Sequence, residues 1–188
     1  MKRMRMVFVS ILGLLGIGQL CAAEAPSSLF VRSDTPFALI ADPNDQATQW
    51  ATCAAIYQLV AESLATDPET ANQAEQTQQQ GNGAKTAIMM CFVANTFSEM
   101  QSPPSSGDIA RFNAGLEYGK VAMTEWPKTQ RTAIMAEFER TKLSNDNTDV
   151  WQAKLLDSFK VCLSNGEGQQ GYIDLWRKLA TSGLVTFK

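Results

Sequence analysis

The feature that most constrains the fold is the spacing of apolar residues, which recur at steps of three and four through most of the chain. The clearest run places seven residues on one helical face: Trp50, Cys53, Ala54, Tyr57, Val60, Ala61 and Leu64. This is the period of an α-helix that buries one face against a core. Except for short stretches at the two ends, valine and isoleucine do not alternate with polar residues as they would in strands. The sequence therefore predicts an all-α bundle of five to seven helices.

Prolines, glycines and short polar runs predict where these helices begin and end. Asp67 followed by proline has the pattern of a helix start. The segment 78–83, with two glycines around Asn82, predicts a turn, and Pro127 predicts a break between two helices. Asn165 and the glycine after it predict a left-handed helix end, followed by a last short helix from Tyr172 to Ala180.

One segment is apolar on nearly all sides, which predicts a position in the middle of the bundle. It runs from Ala84 to about Met100 and contains the unbroken apolar run 88–93. A helix that is apolar all round is normally buried all round. We therefore expect this helix to be the central one.

The first 23 residues have the pattern of a secretory signal peptide. A basic head at residues 2–5 precedes an apolar run at 7–17, and small residues lead to a predicted cleavage after Ala23, with Ala25 as an alternative. The run is shorter than the roughly 20 residues that a membrane-spanning helix needs. Lipid attachment at Cys21 is a further alternative, although the bulky residue before it fits lipid-processing sites poorly. The pattern predicts export, to the bacterial periplasm or beyond, and no membrane span after cleavage.

The remaining chain divides by composition into two parts. Residues 24–43 contain three prolines and predict an extended lead-in, and residues 44–188 predict a single all-α domain. The whole chain has 16 Lys and Arg against 19 Asp and Glu, and three of the basic residues lie in the predicted signal peptide. An acidic chain without a basic cluster is not expected to bind nucleic acid.

Three cysteines follow the predicted signal peptide, and export would place them in an oxidising compartment. Cys91 lies in the apolar run 88–93 and is predicted to be a buried free thiol. Cys53 and Cys162 each lie on an amphipathic helix, so we predict a disulfide between them. A Cys53–Cys91 bridge across an antiparallel helix pair is the alternative.

The chain contains no histidine, which removes several kinds of active site together. Ser-His-Asp and Cys-His nucleophilic systems need an imidazole base, and the usual hydrolytic zinc sites need a histidine ligand. The sequence therefore predicts no metal site and no cofactor, and it offers no catalytic set that includes histidine.

Glycoside cleavage is the enzymatic chemistry that carboxylates can perform without histidine. The pair Glu62-Ser63 resembles the Glu-Ser pair with which the catalytic helix of some lytic transglycosylases ends. This resemblance implies an alternative function, a cell-wall glycosidase with Glu62 as general acid. The simpler interpretation is that Glu62 faces solvent.

The leading hypothesis is a non-catalytic protein that binds a protein or peptide partner, as inhibitors, immunity proteins, chaperones and adaptors do. The candidate binding residues are Tyr172, Trp176 and Arg177 at helical spacing, together with Asn82 in the predicted turn. Aromatic residues and arginine are favoured at interfaces. In the alternative interpretation the two aromatic residues cap the core and Arg177 pairs with Asp174.

A third hypothesis is a carrier for a small apolar molecule. It would place the molecule between helices near Met90 and Phe97. Such a function needs an internal cavity of at least about 300 Å³.

Overall fold

The computed structural model describes residues 30–100, 102–143 and 148–185, so the predicted signal peptide, its cleavage sites and Cys21 lie outside the described residues. The described residues form six α-helices and no β-strand, which confirms the all-α prediction. None of these helices is long and apolar enough to cross a membrane. From the amino end they are α1 (Pro43–Leu64), α2 (Ala71–Cys91), α3 (Ala94–Glu99), α4 (Ser106–Leu143), α5 (Thr148–Ser164) and α6 (Gly166–Thr181).

Helix α1 is the central helix, in place of the segment 84–100 that the sequence favoured. Every residue from Trp50 to Tyr57 is buried, so all sides of this part of the helix are covered. The small side chains of Ala51, Ala54 and Ala55 let neighbouring elements approach from several directions. The helix begins where the Asp42 carboxylate accepts hydrogen bonds from the backbone N–H groups of residues 44 and 45, at 2.7 and 3.3 Å. The segment 84–100 is divided between the end of α2 and the short α3.

Helix α2 runs without a break through residues 78–83, so the predicted turn is wrong and Asn82 lies exposed on a helix. Both glycines are buried where another helix approaches. A Cβ at Gly81 would lie 3.3 Å from the Tyr57 Cβ of α1, and a Cβ at Gly83 would collide with the Gln169 side chain of α6. Glycine in a helix costs about 1 kcal/mol relative to alanine. Here the close packing of α2 against its neighbours offsets that cost.

Helix α4 also continues through a predicted break, at Pro127. Proline removes one backbone hydrogen bond from a helix interior and disfavours it. Pro127 is nevertheless buried, on the same side of α4 as Ile134 and Phe138. The burial of this side keeps the two halves of α4 in one helix.

Helices α5 and α6 meet at Asn165, which is not in the predicted left-handed conformation, since its φ is −92°. Its side chain instead makes two hydrogen bonds. The Oδ1 atom accepts from the Phe37 N–H at 2.8 Å, and the Nδ2 group donates to the Val161 carbonyl at 2.9 Å. Because α6 begins directly after Asn165, it is longer than the predicted helix Tyr172–Ala180.

The buried residues form two clusters. The first core cluster surrounds α1 and contains the disulfide between Cys53 and Cys162, whose Cα atoms are 5.5 Å apart. The predicted pairing is confirmed, the alternative bridge to Cys91 is wrong, and Cys91 is a buried free thiol as predicted. The second core cluster joins residues of α2, the α2–α3 junction, α4 and α6, namely Met89, Met90, Val93, Phe112, Leu116 and Leu179.

Residues 30–42 precede α1 and lie against the first core cluster. Phe37 is fully buried and its ring meets the Trp50 ring edge-on at 4.9 Å, while the Phe30 ring lies 6.2 Å from that of Trp151. The lead-in was predicted to be extended up to residue 43. Its described part, residues 30–42, contains one 3₁₀ turn, Phe37–Leu39, and α1 begins at Pro43.

Candidate binding groove

A groove of about 700 Å³ opens to solvent between the lead-in, α1 and α4. One wall is formed by residues 30–34, which we call the strap, and the opposite wall by α4 from Gln130 to Arg140. Residues 48–52 of α1 and Lys154 of α5 complete the lining. The groove is therefore assembled from four segments that are distant in sequence.

The strap is held in place by hydrogen bonds from its backbone. The Phe30 N–H donates to the Oγ atom of Ser158 on α5 at 2.9 Å. The Arg32 N–H donates to the Oε1 atom of Gln49 on α1 at 3.1 Å. Val31, between them, is buried. These contacts position the strap on two helices before any ligand arrives.

An ion pair between Lys154 and Glu137 lies at the junction of the two walls. The Lys154 Nζ atom is 2.5 Å from the Glu137 Oε1 atom and 4.4 Å from the centre of the Phe30 ring. Only 11% of the Lys154 side chain is exposed. A partly desolvated ammonium gains from both a carboxylate and an aromatic face. This contact connects the strap to α4 and α5 at once.

The rest of the lining is mainly polar. Arg32 and Asp34 are exposed on the strap, and Arg140 is exposed on α4. The side chains of Gln49 and Gln130 add amide groups that can both donate and accept hydrogen bonds. The groove can therefore offer hydrogen bonds and charge to a polar ligand along much of its length.

A second groove, of about 360 Å³, lies between residues 38–43, the start of α3 and Tyr172. Cys91 and Tyr172 both contribute to its lining. Burial raises the pKa of the Cys91 thiol to about 12, and burial also raises the pKa of Tyr172. A thiol with so high a pKa is neutral at ordinary pH and is a poor nucleophile.

The predicted binding residues on α6 do not form one exposed surface. The Tyr172 ring meets that of Trp50 edge-on at 6.5 Å, and Trp176 packs on the second core cluster. Arg177 is exposed and pairs with Asp174 at 2.8 Å, as the alternative interpretation had it. The two aromatic side chains thus pack against the edge of the core.

The candidate general acid Glu62 is exposed near the end of α1. Its side chain is 48% exposed, and its Oε2 atom lies 2.6 Å from the Arg131 guanidinium. Its Oε1 atom accepts a hydrogen bond from Gln58. A glycosidase acid is normally enclosed by apolar groups that keep it protonated. This geometry gives the glycosidase hypothesis no support.

Neither of the two grooves lies where the carrier hypothesis predicts a cavity. Met90 is fully buried, and the Phe97 ring lies 6.5 Å from that of Phe112. Neither Met90 nor Phe97 lines either of the two grooves.

Sequence reasoning missed the groove because no single segment forms it. One signal was present in α5, where the apolar stripe through Trp151, Leu155 and Cys162 also includes Lys154 and Ser158. A lysine and a serine on the buried face of a helix need polar partners. Those partners are Glu137 and the backbone of Phe30, which are the contacts that position the groove.

Among the described residues, no group of three or more Cys, Asp or Glu side chains could hold a metal ion. Comparisons of the chain with protein-family models, with curated proteins and with solved structures found no match.

Proposed function

We propose that this chain is an exported, non-catalytic binding protein that holds a peptide segment of a partner protein in the groove between the strap and α4. The observation that carries this proposal is the groove itself, which combines a volume of about 700 Å³ with a polar, positioned lining. Ligand pockets commonly enclose about 300–1,000 Å³. The volume therefore suits several peptide residues.

The chemistry of the lining favours a peptide over an apolar molecule. A peptide carries a donor and an acceptor at almost every residue, and these need partners when they leave water. Gln49 and Gln130 offer both kinds of group, and Thr48 adds a hydroxyl. An apolar ligand would make no hydrogen bond to the amide groups of Gln49 and Gln130.

The fixed position of the strap also supports binding. Binding costs free energy when loops must become ordered. The hydrogen bonds from Phe30 to Ser158 and from Arg32 to Gln49 already position one wall. The groove would therefore lose little conformational freedom when it is occupied.

Two observations support the non-catalytic part of the proposal. The two charged groups at the junction of the walls, Lys154 and Glu137, neutralise each other at 2.5 Å. Glu62, the acid suggested by the sequence, is paired with Arg131 outside the groove. The groove thus lacks an activated nucleophile or a poised acid–base pair among the residues described.

Export is supported by the amino-terminal pattern and by the disulfide, since disulfides persist mainly in oxidising compartments. The test is expression of the full chain in a bacterium, followed by fractionation and amino-terminal sequencing. We expect a periplasmic or secreted product that begins at Glu24. A cytoplasmic product that still begins at Met1 would contradict export.

Binding in the groove can be tested with a matched pair of substitutions on α4. Ala133 lines the groove, whereas Ala136 is exposed on the same helix outside it. Random hexapeptides displayed on phage would be selected on the wild-type protein, and the enriched peptides would be labelled for fluorescence anisotropy. Ala133→Trp should weaken their binding at least about tenfold, which corresponds to about 1.4 kcal/mol, because the indole fills the groove. Ala136→Trp should leave it nearly unchanged.

Circular dichroism of both variants is the control for folding, because a helical spectrum like that of the wild type would show that a loss of binding is not caused by unfolding. The proposal fails if no peptide is enriched, or if the enriched peptides bind equally well to the Ala133→Trp protein.

A further inference from the structure

The charge of the groove differs in sign from that of the chain. Its lining contains three basic residues (Arg32, Arg140 and Lys154) and two acidic ones (Asp34 and Glu137). The whole chain is acidic, with a formal net charge of −3. The groove is thus a locally basic site on an acidic protein.

Two of these five charged side chains already form an ion pair with each other. Lys154 and Glu137 are bound to each other, so neither adds net charge for a ligand. Arg32 and Asp34 are exposed on the strap, at the rim of the groove. A ligand entering the groove would therefore meet the exposed Arg32 guanidinium on the strap.

We propose that the groove selects acidic peptides, with a glutamate or aspartate side chain of the ligand bound to the Arg32 guanidinium. This inference rests on the proposed peptide-binding function and adds the chemical class of the ligand. A guanidinium suits this task because it can bind a carboxylate through two parallel hydrogen bonds.

Arg32 differs from other arginines in its contacts. Arg111, Arg131 and Arg177 each form an ion pair with a carboxylate of the chain. Within the described residues, Arg32 has no such ion pair, although its backbone N–H is bound to Gln49. Its backbone is thus held in place while its exposed guanidinium keeps its capacity for a carboxylate.

The electrostatic contribution should be moderate and sensitive to salt. Arg32 is exposed, and exposed ion pairs are weakened by solvent and by ions. The difference in affinity between an acidic and a basic ligand is nevertheless larger than the contribution of one ion pair, because the Arg32 guanidinium that attracts the acidic ligand repels the basic one.

The experiment compares three fluorescein-labelled hexapeptides in which alanine alternates with glutamate, glutamine or lysine. Their anisotropy would be measured with the full protein at low and at physiological ionic strength. At low salt we expect the glutamate peptide to bind at least about tenfold more tightly than the lysine peptide, and the ratio should fall as salt is added.

Two charge-reversal variants locate the effect. Arg32→Glu should weaken binding of the glutamate peptide by about tenfold or more. Arg177→Glu makes the same change of net charge at an exposed residue of α6 outside the groove, and it should change the affinity less than about twofold.

Each other result overturns the inference. If the glutamine peptide binds as tightly as the glutamate peptide, or the lysine peptide binds more tightly, the groove does not select acidic ligands. If Arg177→Glu weakens binding as much as Arg32→Glu, the effect belongs to net charge. If none of the three peptides binds while the phage-selected peptides remain sensitive to Ala133→Trp, acidic selectivity is wrong and peptide binding stands. Insensitivity of all peptides to Ala133→Trp would remove both proposals.

Discussion

The two core clusters differ in how their helices are held together. The first core cluster has a disulfide from α1 to α5 and ring contacts such as Phe37 with Trp50. The second core cluster has no cysteine among its buried residues and depends on Met89, Met90 and their neighbours on α4 and α6. Methionine is flexible and adapts to irregular gaps, so it specifies a single packing less strongly than a branched or aromatic side chain does.

This difference predicts unequal stability within one chain. Regions with fewer constraints open locally at a lower free energy than the whole structure unfolds. We therefore expect the second core cluster to open first, and the first core cluster to determine global stability. Four substitutions or conditions test this comparison.

The largest effect should come from removing the disulfide in the Cys53→Ala/Cys162→Ala protein. The two cysteines are 109 residues apart, and a loop of that size constrains the unfolded chain by about 4–5 kcal/mol in the chain-entropy model. Urea unfolding followed by tryptophan fluorescence measures this loss. Cys91→Ala is the control, because it removes a cysteine but keeps the disulfide. A reductant should therefore destabilise this variant as much as it destabilises the wild type. The prediction is wrong if the free energy of unfolding of the double variant lies within about 1 kcal/mol of that of the wild type.

A smaller effect is expected in the second core cluster from Leu179→Ala. Leu179 is fully buried, so its truncation should cost about 3 kcal/mol. Leu163→Ala, at a residue that is 48% exposed, should cost less than about 0.5 kcal/mol. Amide hydrogen exchange should show loss of protection in α3 and α6 while α1 stays protected. Equal loss in all helices would show that the two clusters open as one unit.

The contact between α4 and the end of α2 should be sensitive to a single methyl group. A Cβ at Gly119 would lie 2.8 Å from the Met89 carbonyl oxygen, a backbone atom that cannot move aside freely. Gly119→Ala should therefore destabilise the protein by about 2 kcal/mol. Gly171→Ala on α6 meets no atom within 4 Å and should stabilise by up to about 1 kcal/mol, because alanine favours helices. Thermal unfolding measures the change in stability of both proteins. If both substitutions stabilise the protein, or both destabilise it, the prediction is wrong.

The smallest effect concerns pH, at Cys91 in the first core cluster. Burial raises the pKa of this thiol from 9.0 to about 12, so the unfolded chain loses its proton at lower pH than the folded one. The contribution to stability is present below pH 9 and is lost as the pH rises towards 12. When the pH is raised from 8 to 10, this thiol should lower the free energy of unfolding of the wild type by about 1.4 kcal/mol.

Cys91→Ala provides the control for this pH dependence. It removes the contribution of the thiol, while Tyr57 and Tyr172, whose pKa values burial also raises, still titrate. Urea unfolding at the two pH values measures the difference. An identical pH dependence of the two proteins would show that the thiol does not contribute.

The parts of the fold that were predictable are those with regular spacing. The stripe from Trp50 to Leu64 identified α1, and the cysteines on two such stripes identified the disulfide. Local signals failed where packing outweighs them. Gly83 and Pro127 usually interrupt helices, yet both are buried in helices that continue past them.

The candidate site was less predictable than the fold. Periodicity reports which face of a helix is buried, but not which helices will lie side by side. Arg32 and Gln130 are almost a hundred residues apart, and no local pattern connects them. Lys154 on an apolar stripe was the available sign of a buried polar contact, and its partner could be found only from the structure.

The hydrogen bonds of the lead-in also have a consequence for the order of events during synthesis. Phe30 is bound to Ser158 and Phe37 to Asn165, each across 128 residues of chain. The amino end is made first, so the strap lacks its α5 contact until Ser158 has been added, and Phe37 lacks its partner until Asn165 has been added. Until then the groove lacks a positioned wall. The capacity to hold a peptide should therefore arise late, after α1 to α5 have been made.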